Sequence, residues 1–260
     1  DIYGQFVTSA GELEGIPFII NTTLAENQSK QAIAGLVSGG FVVTWQSLMQ
    51  DGDLAGIYAR VFDESGVGGE EIAVNTETIG NQVWSHVTAR SDGGFVVGWV
   101  DAKAPQQVYL QSYAGNGLTQ GTNRVVSIDD IKTINNSEKI EFTELSDGSL
   151  VAVWDAWNGS RNIFGRTFTV IDADENTPVK TVDFTSAITQ LNMTANGDQI
   201  NPSISSLPGN KFAMIWSDRA GNDGDRGGIF GGIYDEKLAL ISSEFVVNTL
   251  TTDWQSKSNI

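Results

Sequence analysis

Two hydrophobic patterns dominate the chain, and both have the period of β-strands. In Gly56-Ile-Tyr-Ala-Arg-Val-Phe-Asp63, the residues Ile57, Ala59 and Val61 fall on one face, and Tyr58, Arg60 and Phe62 on the other. The segment Phe41-Val-Val-Thr-Trp45 is apolar at nearly every position, as in a strand buried on both faces. Gly39-Gly40 precedes it and supplies a tight hairpin turn. No segment carries a long 3.6-residue period with caps, so little helix is expected.

These patterns recur. Asn27-Gln28 leads into Gly39-Gly-Phe-Val-Val-Thr-Trp45, and Asn81-Gln82 leads into Gly93-Gly-Phe-Val-Val-Gly-Trp99 at the same offset. Weaker copies are Ser146-Asp-Gly-Ser-Leu-Val-Ala-Val-Trp154 and Asn210-Lys-Phe-Ala-Met-Ile-Trp216. The four Trp residues are spaced by 54, 55 and 62 positions. After each comes a polar loop and an aromatic strand, at 56–63, 107–113, 162–168 and 228–235. A last strand closes on Asn-Thr at Ile20-Asn21-Thr22, Val74-Asn75-Thr76 and Val247-Asn248-Thr249.

Four strand-like segments per unit, repeated at this period, predict an all-β chain of four-stranded antiparallel blades in a β-propeller or propeller-like array. The alternatives are a solenoid or a row of small sandwiches, and a sandwich needs about seven strands. The predicted organisation is a partial unit at 1–17, repeats at about 18–71, 72–124, 125–180 and 181–244, and a partial unit at 245–260. Asp1-Ile-Tyr-Gly-Gln-Phe6 matches the late part of a unit, and Trp254-Gln-Ser-Lys-Ser-Asn-Ile260 the early part. The expectation is a stretch of a longer array.

Composition narrows the function classes. The 260 residues include 29 Gly and 5 Pro, which suits many tight turns. A net charge of −17 disfavours nucleic acid and anionic lipid as partners. The chain has no Cys, which rules out disulfides and thiolate chemistry. No apolar run has the length of a membrane span, so no membrane insertion is expected. Five Asn-x-Ser/Thr sequons occur, at Asn21, Asn27, Asn135, Asn158 and Asn192.

The run Gly39-Gly-Phe-Val-Val-Thr-Trp-Gln-Ser, with Asp51-Gly-Asp, Gly56-Ile-Tyr-Ala-Arg-Val-Phe-Asp and Val74-Asn-Thr, resembles tandem repeats of large bacterial secreted or surface proteins. Such proteins often also carry calcium-binding, glycine-rich (RTX-type) repeats. The resemblance implies secretion or a surface location and an adhesive or structural role. It implies no catalytic residues.

Candidate chemistry is sparse. His86 is the only histidine and stands where unit one has Gln31 or Ala32, which reads as structural or surface variation. A Ser-His-Asp triad would need it, and no Gly-x-Ser-x-Gly elbow surrounds any Ser. No carboxylate pair of the glycosidase kind stands out, since Asp92 and Asp147 fall in Asp-Gly turns. Calcium is the candidate cofactor. The loops with Asp51 and Asp53, and with Asp218, Asp223 and Asp225, offer hard oxygen ligands beside Gly bends, as does the cluster Asp172-Ala-Asp-Glu-Asn176. Trp84, Trp157 and Trp254 lie outside the Trp column, and Trp157 and Trp84 are the candidates for stacking on a sugar.

The reading from sequence is a non-catalytic structural or adhesive module of an extracellular protein. Its expected partners are a protein, a glycan or further copies of itself, with filaments formed by unpaired strands. The alternatives are a lectin-like propeller and, third, a propeller glycosidase or lyase.

Overall fold

The computed structural model describes residues 1–103, 105–127, 139–171, 180–194, 196–256 and 259–260. The sequon at Asn135 and the acidic cluster 172–176 lie outside the described residues. Every regular element among the described residues is a strand, and every sheet is antiparallel. The sheets follow the repeat, as blades of a propeller-type array.

A two-stranded sheet comes first, β1 (Tyr3–Val7) with β2 (Leu13–Ile19). Blade one is β3 (Gln28–Gly35), β4 (Phe41–Leu48), β5 (Ala55–Phe62) and β6 (Gly68–Ala73). Blade two is β7 (Gln82–Ala89), β8 (Phe95–Asp101), β9 (Gln107–Tyr113) and β10 (Thr119–Val125). Blade three is β11 (Ile140–Glu144), β12 (Leu150–Trp157), β13 (Arg161–Ile171) and β14 (Thr181–Phe184), with β15 (Thr189–Gln190) also on β13. Blade four is β16 (Gln199–Leu207), β17 (Lys211–Asp218), β18 (Gly228–Asp235) and β19 (Phe245–Val246). Strands that neighbour in sequence pair in space, so each blade is a meander.

Blades stack face to face. One apolar cluster lies between blades one and two, around Val42, Ile57, Phe95 and Trp99. Another joins blades two and three through Leu110, Phe142, Trp154 and Phe168. A third joins three and four through Val153, Ile163, Phe212 and Trp216. The four column tryptophans, 45, 99, 154 and 216, are at most 2% exposed. Each sits on the second strand of its blade; in blades two and three a neighbouring blade covers each face of that strand. The first strands β3, β7, β11 and β16 pack side by side in blade order and line the axis.

The repeated polar residues are latches. Asn21, Asn75, Asn192 and Asn248 accept the backbone N–H of Ile2, Ile57, Ile163 and Ile229 at 2.6 to 2.7 Å. Each donates its side-chain N–H to the carbonyl two residues ahead, at 2.8 to 2.9 Å. In blade two Ser127 Oγ takes over, accepting from Val108 N at 3.0 Å. A chain leaving one blade for the next exposes backbone donors, and these bonds satisfy them.

Candidate functional site

The first strands of the blades line an open cavity of about 810 Å³. Its wall is built from equivalent positions of the repeat. The residue facing the one before each column Trp is Ala32 in blade one, His86 in blade two, Glu141 in blade three and Ser203 in blade four, in register with Thr44, Gly98, Val153 and Ile215. Two residues earlier stand Lys30, Trp84, Lys139 and Asn201. Two residues later stand the small side chains Ala34, Thr88, Thr143 and Ser205. The scaffold is uniform, and chemistry enters by substitution at these levels.

A bulge aims the outer level. The ladder slips between Ser29 and Ala32, between Val83 and His86, and between Ile200 and Ser203. In each slip one non-glycine residue is left-handed: Lys30 at φ 56°, Trp84 at φ 53° and Asn201 at φ 54°. This conformation costs about 1 kcal/mol or more at such residues. Bulges re-aim side chains and recur beside active sites.

Three titratable groups converge at the axis. Lys139 Nζ lies 2.6 Å from Glu141 Oε1, and His86 Nε2 lies 3.9 Å from Glu141 Oε2. Ser203 Oγ is 3.3 Å from Glu141 Oε2 and also meets Asn259 Oδ1 at 2.9 Å. Glu141 is buried. His86 Nδ1 is buried without a hydrogen-bond partner. Burial pushes the imidazole pKa below its ordinary value; Glu141 opposes this and Lys139 adds to it. A neutral imidazole beside a lysine-paired carboxylate is equipped for proton transfer at neutral pH.

The residues singled out from sequence divide. Trp84 lines this cavity, half-buried. Trp157 ends β12 and is 43% exposed, away from the cavity wall. Asp51 and Asp223 accept from the latch residues Asn75 (3.4 Å) and Asn248 (3.2 Å). Asp53 and Asp225 accept backbone N–H groups of Gly80 (2.9 Å) and Asp253 (2.7 Å). Asp218 is buried and accepts from Ala220 N at 2.6 Å and from Gln199 Nε2 at 3.4 Å. The Asp-Gly-Asp loops thus tie one blade to the segment entering the next. Among the described residues no group of three or more His, Cys, Asp or Glu is placed to hold a metal ion. From sequence His86 reads as structural or surface variation, and Glu141 does not stand out. The available signal was the contrast at one repeat position: Ala, His, Glu and Ser in four otherwise similar strands.

No known family model and no curated protein matches this chain. Solved structures do. It is similar to a protein of unknown function from Dyadobacter fermentans, with 14% identity over 92% of this chain and 70% of that one, and a TM-score of 0.59. It is similar to an α-L-arabinanase of Penicillium chrysogenum complexed with arabinobiose, with 9% identity over 84% of this chain and 66% of that one, at 0.55. It is also similar to an α-L-arabinofuranosidase of Fusarium graminearum complexed with arabinobiose, with 11% identity over 84% and 66%, at 0.56. The chain spans just under two thirds of the length of these two enzymes. Identities this low show the fold alone.

The likeness corrects the expectation of a non-catalytic structural or adhesive module and, with it, the expectation of no enzyme. Two of the similar structures are an α-L-arabinanase and an α-L-arabinofuranosidase. The physical reason is that repeat motifs report the scaffold and are silent on the few positions where the repeats differ. No helix among the described residues is long and apolar enough to cross a membrane.

Proposed function

We propose that this chain is a carbohydrate-active propeller that takes an oligosaccharide into the axial cavity and cleaves a glycosidic bond there. The observation that carries the reading is the convergence of His86, Glu141 and Lys139 on one cavity wall, at repeat positions where blade one has only Ala32 and Lys30.

Each residue has a role that follows from its surroundings. Trp84, swung toward the axis by its bulge, offers an aromatic face to a sugar ring. Glu141, fixed by Lys139 and Ser203, is the anion beside the positive charge that develops at the anomeric carbon. His86, neutral at pH 7, takes a proton from the attacking water, and the imidazolium so formed gives it to the departing glycosidic oxygen. Many glycosidases use two carboxylates. Glu141 is the one side-chain carboxylate on the cavity wall among the described residues, so the imidazole stands as its partner. A secreted location fits this reading, since polymeric glycans are met outside the cell.

The test is release of reducing ends from arabino-oligosaccharides and a panel of polymeric glycans. Wild-type protein is expected to cleave at least one. Glu141→Gln and His86→Gln are each expected to lose at least about 100-fold, and Trp157→Ala to keep full activity. No release from any glycan, or release unchanged in Glu141→Gln, overturns the proposal.

A further inference from the structure

Resting on that reading, we infer that the glycan taken by the cavity is acidic: an oligosaccharide carrying uronate carboxylates. The argument is one of charge. The chain as a whole carries −17, yet among the described residues the charged side chains on the cavity wall are two lysines, Lys30 and Lys139, against one glutamate, Glu141. Its side chains are net positive in a molecule that is net negative.

The two lysines differ in occupation. Lys139 is paired with Glu141 at 2.6 Å. Lys30 is exposed and makes no ion pair or hydrogen bond with the described residues. Its backbone is held left-handed at φ 56° by a bulge equivalent to those that hold Trp84 and Asn201. An unpaired ammonium on a concave wall favours an incoming anion, because the walls focus its field and bound sugar displaces the water that screens it. A neutral sugar there would strip water from Lys30 without giving it a partner.

The order around the wall is Lys30, Trp84, Lys139, Asn201, one from each blade in sequence. This places an aromatic face and an amide among the cations. A uronate ring presents an apolar face, hydroxyls and one carboxylate, which suit Trp84, Asn201 and Lys30 in turn.

The experiment is calorimetric titration of the whole chain with trigalacturonate and with galactotriose, at low and high salt. The trigalacturonate is expected to bind at least tenfold tighter, and the difference to shrink as salt rises. Lys30→Met is expected to abolish that preference by weakening trigalacturonate binding, and to melt like wild type. Lys237→Met, an exposed lysine away from this cavity, is expected to keep the preference. Equal or tighter binding of galactotriose by wild type overturns the inference and leaves the glycan reading standing. A preference that survives Lys30→Met overturns it too. If neither sugar binds while the reducing-end assay shows cleavage of a neutral glycan, the inference alone falls. If no sugar binds and no glycan is cleaved, both fall.

Discussion

His86 Nε2 lies 3.9 Å from Glu141 Oε2 although the two residues belong to different blades. They occupy the same level of the repeat, one on β7 and one on β11, which pack side by side at the axis. Their approach depends on blade-to-blade packing, which Phe142 provides. Its ring centroid is 6.0 Å from that of His86 and 5.9 Å from that of Phe168.

The imidazole gives the first prediction. Burial lowers its pKa in the folded protein, with Glu141 opposing and Lys139 assisting. The unfolded chain therefore takes up a proton first as pH falls through about 6.5. The folded state binds fewer protons in that window, so stability is full above about pH 6.5 and declines as pH drops toward the folded value. Urea unfolding at pH 7 and pH 5 should show this decline, and His86→Gln should flatten it. His86 is the only histidine, so its ring protons in an NMR titration report this group alone. A midpoint at or above about 6.5 would contradict the burial argument.

Gly98 gives the second. It pairs with His86 across the ladder, where the other blades have Thr44, Val153 and Ile215. A Cβ on Gly98 would run into the edge of the Phe142 ring. Gly98→Ala should destabilise the protein by about 1–3 kcal/mol and displace Phe142 from beside His86. Cleavage should fall together with a shift of the His86 midpoint. A variant with wild-type melting and titration would show that Phe142 does not set the surroundings of His86.

Asn75 gives the third. It accepts from Ile57 N at 2.6 Å and donates to Glu77 O at 2.8 Å, and it is buried. Asn75→Ala strands both backbone groups and should cost about 2–4 kcal/mol in urea unfolding. Asn75→Ser should recover part of this, because Ser127 Oγ fills the acceptor role in blade two at 3.0 Å. Equal losses for Ser and Ala would remove the latch interpretation.

The latch residues show how far sequence reading reaches. Val74-Asn75-Thr76 and its copies were visible as a repeated signature, and the structure gives each Asn the same two bonds. The unit-three copy, Leu191-Asn192-Met193-Thr194, was seen only as a sequon, yet Asn192 makes the same bonds. Its flanking residues had drifted, because the latch needs only the side-chain amide. The position of His86 stayed open between Gln31 and Ala32. The bulge at Lys30 adds a residue to the strand, and alternation cannot be counted through it.

The sequence by itself determined the strands, the turns, the period and the buried tryptophan column. Each of these is set by local chemistry: alternation of apolar side chains, Gly at left-handed turns, and apolarity on both faces of a covered strand. Only the tertiary structure decided that His86, Glu141 and Lys139 meet. Register through the bulges and the packing of one blade on the next bring them together, and neither is written in the spacing of residues along a single strand.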